Sequence, residues 1–330
     1  MRKTTFFVFK RHAVSILKRL NFTRILNIFV LIIETKLRKV KVKHYPIVAR
    51  INTIPYCNLL CPGCKGEKYK DVKESTHIIK FEEYKKIIDK ISKHLMLAIL
   101  YDEGEPLLNN DIYKIISYTN SLNISTTIST NLSFKMTEKN IDNLILSGLD
   151  RLIVSLDGMT QEIYARYRVN GDVELVKDNL KKIIEAKKKH NKKYPVIDVQ
   201  FLNFGYNEHE MHDAEKFSYS VGADTFSSYD ANFHGCYPFD GSESERVKLG
   251  CSCIWTALHI NNDCMVYPCN YGEDNGFEPI ASIYENDFNA FWNGEFIQKL
   301  RKGFNKKNKK LEYWQCKQCP NSEALPRILQ

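Results

Sequence analysis

Six short β-rich apolar runs, separated by longer segments of helical periodicity, restrict this chain's fold more than any other feature. The runs are Ile47–Ile54, Leu95–Tyr101, Ile124–Thr130, Arg151–Leu156, Val196–Phe204 and Asp224–Tyr229. Between them, Phe81–Lys93, Asp111–Ser121, Glu138–Ser147, Gln161–His190 and Glu208–Val221 carry apolar residues three and four apart, the spacing of one helix face. A strand that rejoins its sheet through a helix returns parallel, by a right-handed crossover. The pattern therefore predicts an α/β fold, either an open parallel sheet or a partial (β/α)6 barrel. In barrels of this kind chemistry gathers at the C-terminal strand ends.

Charge and composition divide the rest of the chain. Residues 1–44 carry twelve Lys or Arg and one acid, Glu34, whereas residues 45–330 sum to about −2. The basic excess thus belongs to an N-terminal extension, and the near-neutral body lacks the charge of a dedicated nucleic-acid binder. The extension's apolar run, Ile25 to Ile33, is far shorter than the roughly 20 residues that span a bilayer. It predicts a helix packed on the domain, with a membrane surface or an acidic partner as rival contacts. The β–helix alternation stops near Asp230. A Gly-, Ser- and aromatic-rich loop, 231–250, leads to a cysteine-rich region, 251–330. The expected domains are therefore 1–44, 45–230 and 251–330.

Ten cysteines could mean disulfides, but three cluster near residue 60 and seven lie between 236 and 319, in close pairs typical of metal ligands in a reducing cytoplasm. Directly after the first strand run comes Cys57-Asn-Leu-Leu-Cys61-Pro-Gly-Cys64. A structural zinc site or a fully thiolate-ligated iron–sulfur cluster wants four ligands. Three thiolates from one loop suit a cubane whose fourth iron stays open, although a zinc loop with a distant fourth ligand fits the spacing too. This Cys-x3-Cys-x2-Cys motif resembles the signature of the radical S-adenosylmethionine (SAM) superfamily. The resemblance implies a [4Fe-4S] cluster on Cys57, Cys61 and Cys64 that chelates SAM and cleaves it to a 5′-deoxyadenosyl radical. Many members carry an aromatic before the third cysteine, where this chain has Gly63.

The other strand ends extend the likeness. Gly104-Glu105-Pro106 follows the second run and resembles the family's Gly-Glu-Pro element, which implies contact with SAM's amine through Gly104 and Glu105. Ser129 and Asn131 at the third strand end are expected near the ribose or methionyl end. Ser155-Leu-Asp-Gly, followed by Tyr164-x-x-Tyr167-Arg168, implies that Ser155 and Arg168 hold SAM's carboxylate. The terminal region resembles the SPASM or shorter twitch domain, which implies an auxiliary [4Fe-4S] cluster on Cys251, Cys269, Cys316 and Cys319. Cys253 competes with Cys251, and a four-cysteine zinc site is the physical rival. The fold class expected from these likenesses is a partial (β/α)6 TIM-like barrel with a small C-terminal Cys-rich domain.

Cys236, Cys253 and Cys264 are left over. They are expected to pack as small hydrophobes, with hydrogen-atom donation to a substrate radical as the sharper reading for Cys264. The expected function is a radical SAM oxidoreductase or epimerase acting on an aminosugar or polyol-like small molecule. Peptide modification is the alternative, and a non-catalytic iron–sulfur carrier is the alternative from another class. A flavodoxin- or ferredoxin-like electron donor is the expected partner, in the cytoplasm or peripheral to a membrane.

Overall fold

All six expected strands form: β1 (Val48–Ile51), β2 (Leu97–Ile99), β3 (Ser125–Thr130), β4 (Arg151–Ser155), β5 (Val196–Asn203) and β6 (Thr225–Asp230). The computed structural model describes residues 14–64, 77–231, 247, 250–269, 276–284, 287–305, 307 and 310–319. Consecutive strands from β1 to β6 pair in parallel. Three strands from the cysteine-rich region continue the same sheet: β7 (Ala257–Ile260), β8 (Met265–Tyr267) and β9 (Ala281–Ser282). β7 runs parallel to β1, with His259 opposite Arg50, and β8 and β9 follow antiparallel. The order β6-β5-β4-β3-β2-β1-β7-β8-β9 leaves β6 and β9 as edges, so the sheet is a partial barrel that does not close.

Helices follow α1 (Phe22–Lys36), α2 (Phe81–Ile91), α3 (Ile112–Ser121), α4 (Glu138–Leu146), α5 (Gln161–Ala165), α6 (Val173–Lys189) and α7 (Met211–Val221). The stretch expected as one helix, Gln161–His190, is two, because Asp172 caps a fresh start by accepting from the amides of Glu174 and Leu175. The break leaves Arg168 on a connector. The cysteine-rich region adds α8 (Cys253–Thr256), α9 (Phe288–Trp292), α10 (Glu295–Gly303) and α11 (Trp314–Gln318).

Strand alternation gives the two faces of the sheet different chemistry. Ala49, Ile51, Ala98, Leu100, Ile128, Leu152, Val154, Ile197, Val199 and Leu258 join the main core under the helices. Each fully buried Ile or Leu there contributes about 1.5–3 kcal/mol. On the other face, Val48, Leu97, Ile99 and Ala257 form a small apolar floor. The remaining positions of that face are mostly polar: Arg50, Thr127, Ser129, Arg151, Ser155, Asp198, Gln200, Ser227 and His259.

The N-terminal run forms helix α1, and it packs on the domain through a mainly polar face. The buried residues of α1 are Arg24, Asn27, Leu31 and Glu34. Arg24 donates to the carbonyls of Ser92, Leu122 and Asn123 just past α2 and α3, where helix ends leave unpaired acceptors. Asn27 exchanges two hydrogen bonds with the Tyr45 backbone. Glu34 accepts from the amides of Lys43 and His44. Polar fastening outcompetes apolar packing because it satisfies backbone groups that would otherwise be orphaned.

Candidate functional site

The three-cysteine loop leaves the C-terminal end of β1 and is pinned from three sides. Glu105 donates its amide to the Tyr56 carbonyl at 3.0 Å, Leu60 donates to the Val169 carbonyl at 3.0 Å, and Asn58 donates to the Ser133 carbonyl at 2.8 Å. The Cys64 amide bonds the Cys61 carbonyl at 3.1 Å, and Gly63 has φ +69°. Proline second and a left-handed residue third are the demands of a type II turn. That turn explains Gly63: an aromatic side chain there would be strained.

Gly104 shows why the next strand end needs glycine. A Cβ on it would lie 2.3 Å from the Ile54 carbonyl oxygen and 2.4 Å from that of Tyr56. Glu105 turns inward beneath the loop. Its carboxylate accepts from the amides of Asn131 at 2.8 Å and Leu107 at 3.2 Å. Burial pushes its pKa up to about 7, against the hydrogen bonds from Asn131, Thr130 and Leu107.

Asn131, at the end of β3, reaches the loop directly, its side-chain amide donating to Asn58 at 3.0 Å and lying 3.4 Å from Cys57 Sγ. Arg168 reaches it from the α5–α6 connector, with Nη1 3.9 Å from Cys61 Sγ. Its Nε donates to buried Asp157 at 2.5 Å, and Asp157 also accepts from the Leu202 amide at 2.7 Å. Ser129 and Ser155, half-buried, project from β3 and β4 on the polar face of the sheet. Burial, more than the neighbouring Glu105 charge, raises the Cys57 thiol to about 12. Burial likewise raises Cys61, against the Arg168 charge. What fits a metal cluster is the chemistry of the donor set, three cysteine sulfurs carried on one short loop that is fixed by backbone hydrogen bonds at both ends.

No group of three or more His, Cys, Asp or Glu among the described residues is compact enough to hold one metal ion. A cubane asks for less convergence, since each thiolate meets a different iron. In the terminal region Cys253 hydrogen bonds to Cys251, and this, with burial and the charges of Cys251, Cys269 and Cys319, drives its thiol well above the ordinary range. The charges of Cys251, Cys269 and Cys319 thus all reach Cys253, while Cys316 lies half-buried on α11. Cys236 lies outside the described residues.

Cys264 corrects an expectation. It lies in the main core on the helix side of the sheet, buried, with Sγ 3.3 Å from the Tyr284 hydroxyl. Its packing therefore withdraws the expected role as hydrogen donor to a substrate radical. Sequence reasoning passed over the polar wall of the barrel. There Arg151 pairs with Asp198 at 2.5 Å, and Asp198 also accepts from Thr225, Ser227 and Gln200 at 2.9–3.1 Å. Arg50 lies 3.6 Å from Asp102 and 5.2 Å from the Tyr101 ring centre. The available signal was charged residues inside strands that a buried parallel sheet would keep apolar.

The comparisons with known proteins agree with this geometry. The Radical SAM superfamily model matches residues 51–217, and the SPASM model, an iron–sulfur cluster-binding domain, matches residues 251–320. A probable GTP 3′,8-cyclase of Methanococcus maripaludis is 33% identical over 137 residues, 42% of this chain and 45% of that protein. The GTP 3′,8-cyclase of Clostridium botulinum is 27% identical over 164 residues, 50% of each. The chain thus spans about half the length of the curated relatives it matches. Among solved structures, Streptococcus suis SuiB bound to precursor peptide SuiA aligns with TM-score 0.60 at 14% identity, over 80% of this chain and 68% of that one. BtrN in complex with AdoMet and 2-DOIA aligns with TM-score 0.50 at 14% identity, over 80% and 89%. With two families of iron–sulfur motif matched across most of its length, this chain belongs to the radical SAM superfamily and carries a C-terminal SPASM domain, so its cofactors are a SAM-binding [4Fe-4S] cluster and auxiliary iron–sulfur.

Proposed function

We propose that this radical SAM enzyme abstracts hydrogen from a C–H bond of a polar small molecule of the aminosugar or polyol class, and that the substrate radical would then lose an electron to the auxiliary iron–sulfur cluster and a proton to water, a dehydrogenation; epimerisation would instead need a hydrogen atom from a thiol other than Cys264. The observation that carries the reading is the barrel wall: Arg50, Ser129, Arg151, Ser155, Asp198, Gln200 and His259 line the face that ends at the three-cysteine loop. Hydrogen-bonding side chains held in a partly closed lumen suit a substrate rich in hydroxyl and amine groups. The chemistry supplied when cluster and SAM are bound is reductive cleavage of SAM, which yields the hydrogen-abstracting 5′-deoxyadenosyl radical.

The chain's own residues bind and orient. Cys57, Cys61 and Cys64 hold the SAM-binding cluster, while Cys269, Cys316, Cys319 and one of Cys251 and Cys253 hold the auxiliary one. The Gly104 backbone, closely packed on Tyr56, would offer carbonyls to SAM's amine, with Glu105 supporting the turn from below. Asn131, Ser129 and Ser155 offer amide and hydroxyl groups to the ribose and methionyl ends. Arg168, oriented by Asp157, offers its guanidinium edge to the carboxylate. A flavodoxin- or ferredoxin-class protein supplies the electron, in a reducing cytoplasm.

BtrN, solved with AdoMet and 2-DOIA, supports the small-molecule reading through its fold. A second reading, peptide modification, is favoured by the fold likeness to SuiB, solved with precursor peptide SuiA. The relatives named GTP 3′,8-cyclase make GTP a third compound to assay. The test is 5′-deoxyadenosine release by anaerobically reconstituted protein given aminosugars and polyols, peptides or GTP. Stimulation by peptide or GTP but by no aminosugar or polyol would refute the proposed substrate class. Normal release by the triple variant Cys57→Ala/Cys61→Ala/Cys64→Ala would refute the assignment of the SAM-binding cluster.

A further inference from the structure

Helix α1 is inside out. Its inward face carries Arg24, Asn27 and Glu34, each spent on backbone hydrogen bonds of the domain, with Leu31 the one buried apolar residue. Its outward face carries Phe22, Ile25, Leu26, Phe29, Ile32 and Ile33, all exposed, Phe22 to 81% and Phe29 to 61%. These positions recur at intervals of three and four, so they form one continuous stripe along the helix. Contiguous exposed apolar surface of this kind marks an interaction site.

The charge around the stripe selects the partner. Lys18, Lys36, Lys41 and Lys43 are exposed on either side of it in sequence. The one acid in residues 1–44, Glu34, is buried and bonded to Lys43 and His44. An apolar stripe flanked in sequence by exposed lysines, with no exposed acid between residues 14 and 44, complements an anionic lipid surface, where apolar side chains enter the acyl boundary and lysines meet the headgroups. A second copy of this chain would set one cationic border against another. The helix is too short to cross a bilayer, and among the described residues no helix is long and apolar enough to do so. We infer that α1 is an in-plane anchor that seats this protein on membranes of anionic phospholipid.

Its place in the fold orients the active end. Arg19, just before α1, bonds the Ile124 carbonyl and the Asp150 carboxylate, at the N-terminal starts of β3 and β4. Arg24 closes the α2 and α3 ends beside them. The stripe therefore lies at the floor of the barrel, and the three-cysteine loop lies at the opposite, C-terminal strand ends. A molecule seated on α1 opens its site toward water, which fits a soluble substrate.

The experiment is flotation of the full chain with vesicles of phosphatidylcholine alone or mixed with phosphatidylglycerol. The wild type is expected to float with the mixed vesicles and much less with the neutral ones, and to be released by high salt. Phe22→Glu/Phe29→Glu replaces two solvent-facing residues and should lower the bound fraction at least about tenfold, given the apolar area each phenyl ring would bury. Release of 5′-deoxyadenosine in solution should be unchanged in that variant, which shows that the fold survives. Lys36→Glu/Lys41→Glu/Lys43→Glu should lose the preference for anionic vesicles independently. The inference is overturned if the wild type stays with the unbound fraction in mixed vesicles, if the double-Phe variant floats as well as wild type, or if that variant merely converts a dimer to a monomer. The flotation readouts do not depend on the substrate class.

Discussion

Replacing Gly104 with alanine would drive a methyl group into the backbone that carries the three-cysteine loop. The new Cβ would stand 2.3 Å from the Ile54 oxygen and 2.4 Å from the Tyr56 oxygen, whereas real contacts essentially never fall below 3.0 Å. The two strand ends must therefore separate by at least about 0.7 Å. Both clashing atoms are main-chain carbonyls, so no side-chain rotation relieves them. Overpacking of this kind costs about 1–3 kcal/mol, a fall in Tm of a few degrees for a chain of this size. The Glu105–Tyr56 hydrogen bond spans the same gap and should break with it. The larger effect falls on chemistry, because misplacement by about 1 Å can cost on the order of 100-fold in rate. The variant should thus keep its fold and most of its iron while 5′-deoxyadenosine release drops roughly 10- to 100-fold. Thermal unfolding, iron content and a SAM titration of turnover read these effects separately. A variant with turnover and SAM dependence within about twofold of wild type would refute the close-approach argument, whatever its Tm.

Three further outcomes follow from the same geometry. Arg168→Ala leaves the buried Asp157 carboxylate without its cation and should cost about 3–5 kcal/mol in thermal unfolding; Arg168→Lys should recover part of that stability without recovering SAM turnover. Reconstituted wild type should hold about eight irons, four per cubane. Of Cys251→Ala and Cys253→Ala, the one that halves iron content identifies the ligand, and zinc at that site would remove the redox role. Acid should release helix α1. Burial pushes Glu34 up, but the Lys43 and His44 amides and the His44 ring outweigh it and hold its pKa below the ordinary 4.5. Its stabilising contribution is thus complete above about pH 4.5 and is lost as pH falls through the lowered folded value. Limited proteolysis between residues 14 and 45 should accelerate in that window, and Glu34→Gln should make cleavage fast already at neutral pH.

The order of elements and the motif positions were legible in the linear chain. Apolar alternation reports which residues share a face, and that suffices to find six strands, the helices between them and the loops at their ends. Proline followed by glycine between Cys61 and Cys64 even carries the turn that replaces the more common aromatic. What periodicity does not report is which neighbour a face meets. Only the tertiary structure joins β7 to β1, so that the cysteine-rich region extends the barrel sheet and His259 comes beside Arg50. It alone turns Cys264 toward the helices, since a residue at φ +61° in a hairpin turn follows backbone geometry that no hydrophobic pattern encodes. It alone decides which face of α1 meets the domain, since the sequence sets only that a helix forms there. The carbonyls beyond α2 and α3 and the backbone around Tyr45 and Lys43 take the polar face, because an unpaired buried acceptor costs about 1–3 kcal/mol.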